Sequence, residues 1–332
     1  MSQFLNALTA NTPVLSRPFM RLLMALGIAI GIAACSESSN DTSPQSTAVE
    51  DAAPTMVDAA QETAAMAADA MPADGLAAVL AAQPEDVQAR YSYRHPAETL
   101  SFFGIEPGMT VIEALPGGGW YSKLLIPYLT ESGQLIGADY SLNMFPLFGF
   151  YSEEQLKAKE TWPEDWTAQA EGWVPEGGAS IDAFQWSAMP ERVAGQADAV
   201  LFIRALHNLA RFEADGGFLS DAIAEAYRAL RPGGVVGVVQ HMAPEEASND
   251  WANGSNGYLK KSFVIERFEA AGFELAGESD INVNPADQPT EGDIVWRLPP
   301  MMLGTRDNEE AAAAVRAIGE STRMTLLFRK PA

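Results

Sequence analysis

A carboxylate followed by three glycines is the segment of this sequence best suited to bind a ligand. Glu113 closes a short apolar run, and Gly117, Gly118 and Gly119 come just after it. Residues 120–129 then carry apolar side chains at helical spacing, which predicts a strand, a tight loop and a helix. Glycines let a ligand approach the backbone, and a helix start offers unpaired N–H groups. The segment predicts a nucleotide-type cradle, unless the glycines serve only close packing of the helix.

Asp139 is a second acid at a position typical of nucleotide sites. It follows a predicted strand over residues 134–138 and comes 26 residues after Glu113. An acid there can accept hydrogen bonds from ribose hydroxyls; the alternative is an aspartate that caps the next helix. A dinucleotide loop requires G-x-G-x-x-G, and Ser122 stands in place of its third glycine. The loop therefore departs from the pattern of nicotinamide-dependent oxidoreductases.

Strands and helices alternate through most of the chain and would position these residues. After the strand that ends at Glu113, strands are predicted at 134–138, 179–184, 197–203, 235–239, 273–279 and 323–329, with helices that include 218–230 and one between Asn308 and Gly319. Such alternation predicts an α/β fold with a doubly wound, mostly parallel sheet and helices on both faces. Ligands bind such sheets at the carboxyl ends of the strands.

Two long segments interrupt this alternation. Residues 141–178 are predicted to be irregular and contain six Phe and Trp residues, namely Phe145, Phe148, Phe150, Trp162, Trp166 and Trp173. Aromatic residues usually pack in a core, but a segment of this length between core strands commonly forms a lid or pocket wall. Residues 280–306 form a second insertion.

The start of the chain has the composition of a secretion signal. Arg17 and Arg21 precede 13 apolar residues, 22–34, a run too short to span a bilayer. The run ends Ile-Ala-Ala before Cys35, the single cysteine. This pattern resembles the lipobox of bacterial lipoproteins, in which the signal is removed and the cysteine is lipidated. The alternatives are a free cysteine after an uncleaved segment and a cytoplasmic enzyme with a hydrophobic start.

These features divide the chain into three parts. We predict a signal peptide over residues 1–34 and a disordered acidic tether over 35–72, which is rich in Ala and Ser and has no aromatic residue. Residues 73–332 form the predicted domain. A lipid anchor at Cys35 would hold that domain at the cell envelope facing the periplasm, and Ser36 favours the outer membrane.

The charge of the chain excludes one class of partner. The net charge is −23, and residues 76–332 carry −17 of it. An acidic surface repels phosphate backbones, so nucleic acid is not expected as a substrate. The histidines, acids and single cysteine show no close ligand spacing, so no metal site is predicted.

Several stretches together resemble the class I methyltransferases that use S-adenosylmethionine, and in particular a bacterial group of predicted methyltransferases, many with export signals. The stretches are residues 93–100, 116–121, 207–208, 230–234, 241, 282–285, 298–300 and 319–321. They are spread over residues 90–330, nearly the whole predicted domain. The resemblance implies a Rossmann-like sheet of seven strands, the last antiparallel to the others.

The resemblance also implies residue roles. Glu113 and residues 117–119 would surround the amino acid part of S-adenosylmethionine, Asp139 would hold the ribose hydroxyls, and Asp182 would contact the adenine amino group. The sequence departs from the family pattern at Leu115, where the family commonly has its first glycine.

Methyl transfer from a sulfonium requires alignment of donor and acceptor and, for O or N acceptors, removal of a proton. His207 and His241 follow the predicted strands 197–203 and 235–239, so either is a candidate general base. Arg94 and Arg204 are candidates to hold an anionic acceptor.

Other assignments remain open at this stage. Tyr258 is a further candidate base, and each histidine could instead have a structural role. S-adenosylmethionine is made in the cytosol, so an exported domain could also be a non-catalytic ligand-binding or scaffold lipoprotein. The prediction is a methyltransferase that acts on an unidentified small molecule.

Overall fold

A computed structural model describes residues 74–305 and 307–332 of the chain. The predicted signal peptide, Cys35 and the predicted tether lie outside these residues. Within them, no helix is both long enough and apolar enough to cross a membrane.

A central sheet organises the described residues. Its strands are β1 (Thr110–Ala114), β2 (Gln134–Asp139), β3 (Ser180–Gln185), β4 (Ala197–Ile203), β5 (Leu230–Ala243), β6 (Leu259–Lys260), β7 (Glu274–Ser279) and β8 (Arg323–Arg329). The order is β3-β2-β1-β4-β5-β8-β7, and the short β6 pairs with β5 beside this path. Strands β1 to β5 run parallel, whereas β8 is antiparallel to both β5 and β7. The mostly parallel sheet with an antiparallel last strand, which the resemblance implies, is confirmed.

Helices cover both faces of the sheet. They are α1 (Asp74–Ala81), α2 (Glu85–Gln88), α3 (Tyr91–Arg94), α4 (Pro96–Phe102), α5 (Ser122–Leu129), α6 (Glu153–Ala158), α7 (Trp162–Glu171), α8 (Leu206–Arg211), α9 (Glu213–Gly216), α10 (Phe218–Ala229), α11 (Lys261–Ala270) and α12 (Glu309–Ile318). Successive residues of a strand point to opposite faces, so Val111 packs with α1, α4, α5 and α7, and Ile112 packs with α8, α10 and α11. Two apolar cores result.

Strand β5 is longer than the sequence predicted. The strand was expected at 235–239, but its pairing with β8 runs from Val235 opposite Arg329 to His241 opposite Arg323. The glycine-rich turn at 231–234 lies within β5 as a register irregularity against β4. His241 therefore lies on a strand and not in the loop after one.

The prediction of an irregular segment over 141–178 was wrong. The segment contains a 3-10 turn, Phe145–Phe148, and the helices α6 and α7. Helix α6 begins with a capping box, in which the Ser152 side chain accepts the Gln155 N–H and the Gln155 side chain accepts the Ser152 N–H. A serine followed three residues later by a glutamine is a local helix signal, and it was present in the sequence.

Candidate active site

The loop after β1 keeps the backbone path of a glycine cradle, even at Leu115. The φ angle is +56° at Leu115, +54° at Gly117 and +74° at Gly119. A non-glycine residue held at such an angle costs about 1–3 kcal/mol. The Leu115 N–H donates to the Ala138 carbonyl oxygen over 2.7 Å, which fixes this path. Leucine in place of the glycine that the resemblance implies therefore changes the side chain and leaves the left-handed backbone in place.

The three glycines have different surroundings. Gly117 and Gly118 are exposed, and a Cβ added to Gly118 would meet no atom within 4 Å. A Cβ added to Gly119 would overlap the ring of Trp173. Packing thus accounts for Gly119, whereas the backbone at Gly117 and Gly118 is open to a ligand.

Glu113 is buried at the carboxyl end of β1. Its Oε2 accepts a hydrogen bond from the Ser122 hydroxyl over 2.6 Å. Burial raises the pKa of Glu113 to about 7, while the Ser122 bond and the charge of Arg204 act in the opposite direction. Strand β1 pairs with β4, with Ala114 opposite Phe202, so the cradle lies next to the end of β4.

Asp139 ends β2, as predicted, and its carboxylate already has partners from the chain. Its Oδ1 accepts the Tyr140 N–H over 2.9 Å, and Lys159 Nζ lies 3.1 Å from Oδ2. Burial raises the pKa of Asp139, and the charge of Lys159 partly offsets this. Gln185 donates to the Lys159 carbonyl oxygen over 3.0 Å. The segment 141–178 therefore contacts the predicted cofactor residues through Lys159 and Trp173.

Asp182 is not brought to this edge of the sheet. It lies opposite Ile136 in the middle of β3, three residues before the strand end and hence about 10 Å from it. Both of its carboxylate oxygens accept from Arg192 Nη2 over 2.8 Å. Gln185, which lies opposite Asp139, occupies the strand end instead.

His207 and His241 meet at a cavity of about 190 Å³ beyond β4 and β5. Their ring centroids are 5.6 Å apart, and Arg204 lines the same cavity. The remaining walls come from Val295, Trp296 and residues 298–301, and from Glu320 and Ser321. The structure thus brings together three of the four residues predicted for the reaction.

Both cavity histidines are neutral near pH 7. Burial lowers the pKa of His207 to about 4; the Gln240 side chain acts in the opposite direction, and the charges of Arg204 and Arg211 add to the lowering. Burial and the neighbouring His207 lower the pKa of His241 well below its ordinary value. His241 Nδ1 lies 2.6 Å from the Ser321 hydroxyl oxygen, whereas His207 Nδ1 has no hydrogen-bond partner in the described part of the chain.

Arg94, the fourth predicted residue, lies beside the cavity in a buried ion cluster. Its guanidinium stacks on Trp120 at 4.4 Å and its Nε lies 3.3 Å from Glu320 Oε1. Arg90 and Arg323 pair with the same carboxylate. We name Arg90, Arg94, Arg323 and Glu320 the Glu320 cluster.

Tyr258 lies behind the cavity, with its ring centroid 6.3 Å from that of His241, whereas His95 is placed elsewhere. Tyr258 is fully buried, stacks on Trp251, and has its pKa raised by burial. His95 lies at the start of α4 and lines a different depression, together with Tyr93 and Asn284.

Sequence reasoning assigned no role to Glu320, Ser321, Arg323 or the wall 295–301. The stretches 298–300 and 319–321 had been recognised only as part of the family resemblance. No group of three or more His, Cys, Asp and Glu side chains that could hold a metal occurs among residues 74–305 and 307–332.

No protein-family model matches the chain, and no curated protein matches it. Among solved structures, the cyclase SpnF is 16% identical over 72% of this chain and 80% of its own, with a TM-score of 0.44. A methyltransferase from Aquifex aeolicus that depends on S-adenosylmethionine is 15% identical over 60% and 93%, with a TM-score of 0.40. The arsenic(III) methyltransferase of Chlamydomonas reinhardtii is 14% identical over 78% and 73%, with a TM-score of 0.39. Likeness at this level concerns the fold and says nothing of activity.

Proposed function

We propose that the chain is a methyltransferase that uses S-adenosylmethionine and acts on a small molecule. The observation that carries this proposal is the loop after β1, where Leu115 keeps a left-handed backbone and Gly117 and Gly118 stay open. Strain of this kind persists only where the surroundings impose it, and it is concentrated at functional sites.

The residues around the loop fit the cofactor with one rearrangement. Glu113, Gly117 and Gly118 would surround its amino acid part, and Asp139 would accept from its ribose hydroxyls. Lys159 now occupies one oxygen of Asp139 and must release it. Gly119 would contribute through its packing on Trp173, and Asp182 lies too far back along β3 to join the others.

The cavity beside the cradle would hold the acceptor. Bound S-adenosylmethionine supplies a methyl group on a sulfonium, which transfers by in-line displacement. His207 would take the proton of an O or N acceptor because its ring is neutral and its Nδ1 is free. Ser321 fixes the His241 ring, and residues 295–301 reduce access of water.

Calorimetric titration with S-adenosylmethionine and its demethylated product tests this proposal. Binding should be micromolar, and Asp139→Ala should weaken it at least tenfold. Asp182→Ala is the matched control, since it removes an aspartate from β3 that is away from the cradle, and should leave the affinity unchanged. Absence of binding by the unaltered chain at millimolar ligand would contradict the proposal.

One observation favours a second function, a non-catalytic ligand-binding or scaffold lipoprotein on the same fold. Lys159 and Trp173 contact Asp139 and Gly119 as a cofactor otherwise would. If neither cofactor form binds, these contacts are permanent and this function replaces the first.

The proposed location is the cell envelope, with a lipid anchor at Cys35 facing the periplasm. This rests on the sequence alone, because Cys35 lies outside the described residues. Cys35→Ser should move the protein from the membrane fraction to the soluble fraction. An unchanged distribution would contradict the anchor.

A further inference from the structure

Positive charge exceeds negative charge at the cavity beyond β4 and β5. Glu320 is shared by Arg90, Arg94 and Arg323, and Arg204 adds a fourth guanidinium on the cavity wall. Arg94, Arg323 and Glu320 are each at most 4% exposed. In a chain of net charge −23, this excess of buried cations is local.

Among the four arginines around the cavity, Arg204 is the one without an ion pair in the described part of the chain. It makes no ion pair within 4 Å among the described residues, and its buried Nε has no hydrogen-bond partner there. Nη1 of Arg94 is likewise buried without a partner. A buried cation with unmade hydrogen bonds is costly, and an anion in the cavity would remove that cost.

The backbone holds Arg204 at the cavity wall in a strained conformation. Its φ angle is +59°, and its N–H donates to the Val239 carbonyl oxygen over 2.6 Å. This bond ties the end of β4 to β5. The backbone position of Arg204 is thus set by the sheet and not by a flexible loop.

The rest of the wall suits a small molecule with one charged end. Trp296, Leu298 and residues 299–301 provide apolar surface, while His207 and Arg204 provide nitrogen atoms. Three features therefore coincide, namely a partly enclosed volume, a cation without an ion pair among the described residues and a neutral imidazole.

We propose that this cavity binds an oxyanion, the carboxylate or phosphate group of a small molecule, with Arg204 as its charge partner. That the molecule is the methyl acceptor rests on the proposed function; the binding itself does not. An oxyanion beside His207 would also raise the pKa of this histidine, because a negative charge favours the imidazolium. A base with a pKa of about 4 is too weak for efficient proton removal near neutral pH, so acceptor binding would activate the base that serves it.

The test is calorimetric titration of the full-length chain with inorganic phosphate and, separately, with acetate, in the absence of S-adenosylmethionine. We expect saturable binding of at least one anion, and the two arms distinguish phosphate from carboxylate. Arg204→Gln should weaken this binding at least tenfold, and Arg204→Lys should retain part of it. Arg316→Gln, which removes a half-exposed charge on α12, should bind as the unaltered chain does.

A second measurement needs no variant. The chain has three histidines, so imidazole nitrogen resonances can be assigned. Phosphate or acetate should shift the signals of His207 and His241 and leave those of His95 in place. Shifts at His95 alone, no saturable binding of either anion, or equal loss in Arg204→Gln and Arg316→Gln would each overturn the inference.

The outcome is separable from that of the cofactor titration. Anion binding without cofactor binding supports this site and contradicts the methyltransferase proposal. Cofactor binding without anion binding supports the methyltransferase proposal and contradicts this site.

Discussion

The two sides of the candidate site differ in how far the chain pairs its own titratable groups. On the side of β1 and β2, Ser122 bonds Glu113 and Lys159 pairs with Asp139, so the carboxylates have partners. On the side of β4 and β5, Arg204 and His207 keep buried nitrogen atoms without partners among the described residues. A ligand on the β1 and β2 side must therefore displace existing contacts of the carboxylates. A ligand on the β4 and β5 side can form new contacts with Arg204 and His207 without displacing any.

This difference implies different affinities for a first ligand. A group that displaces an ion pair gains only the difference between two interactions, while an anion at Arg204 gains a new one. The cavity should therefore bind small anions even while Lys159 remains paired with Asp139.

The largest effect is expected in the Glu320 cluster. Glu320→Gln leaves Arg90, Arg94 and Arg323 without their carboxylate and should reduce the free energy of unfolding by about 3–5 kcal/mol. Added phosphate should restore part of this loss, because the anion replaces the missing charge. Urea unfolding with and without phosphate measures both effects.

Glu309→Gln is the matched control, since its ion pair with Arg316 is exposed. This change should alter stability by less than about 1 kcal/mol and show no rescue. A stability of Glu320→Gln equal to that of the unaltered chain would show that Glu320 is not the centre of the cluster.

The two regions should also give opposite dependence of stability on pH. The pKa of Glu113 is raised to about 7 from 4.5, so its contribution is present at low pH and is lost as pH rises toward 7. The pKa of His207 is lowered to about 4 from 6.5, so its contribution is present above 6.5 and is lost as pH falls. Each group changes the free energy of unfolding by about 3 kcal/mol over its pH range.

Urea unfolding between about pH 4 and pH 8 separates the two contributions. Relative to the unaltered chain, Glu113→Gln should gain stability as pH rises, and His207→Asn should gain stability as pH falls. Parallel curves for the chain and for both variants would mean that neither group titrates with a shifted pKa.

How much of the fold and of the candidate site could be predicted from the sequence depends on how far apart along the chain the contacting residues are. Strands β4 and β8 and the Asn308 cap of α12 follow from local patterns and were predicted with their observed bounds. The cradle acids and both cavity histidines also follow, because the ends of parallel strands share one edge. Arg90 and Glu320 are 230 residues apart, and no local signal connects them.

The same reasoning explains the errors around β5 and Lys159. The extension of β5 to His241 depends on its partner β8, which comes about 80 residues later in the chain. Lys159 is an ordinary residue after a short helix, and only the folded chain shows that it reaches Asp139. Sequence patterns therefore do not predict contacts between residues far apart in the chain, and these contacts decide whether the polar groups of a site are free or already paired.

A smaller effect separates the glycines of the cradle. Gly119→Ala places a Cβ against Trp173 at a positive φ angle and should destabilise the fold by about 1–3 kcal/mol. Gly118→Ala meets no neighbour and should change stability by less than about 0.5 kcal/mol, yet it should weaken S-adenosylmethionine binding at least fivefold. Thermal unfolding and calorimetry measure the two quantities; full affinity in Gly118→Ala would show that the open backbone does not contact the cofactor.

The smallest effect tests whether the β1 and β2 side is closed by its own chain. Lys159→Ala removes a partly buried ion pair of about 1 kcal/mol, so S-adenosylmethionine should bind about fivefold more tightly. Lys157→Ala, which removes an exposed lysine two residues earlier, is the control and should leave the affinity unchanged. In Lys159→Ala, no ion pair has to break before Asp139 binds the ribose of the cofactor, which is why the affinity should rise. Phosphate binding at Arg204 should be the same in this variant as in the unaltered chain. Weaker cofactor binding in Lys159→Ala would reverse this argument: Lys159 would then be part of the cofactor site, and the two regions would no longer differ in kind.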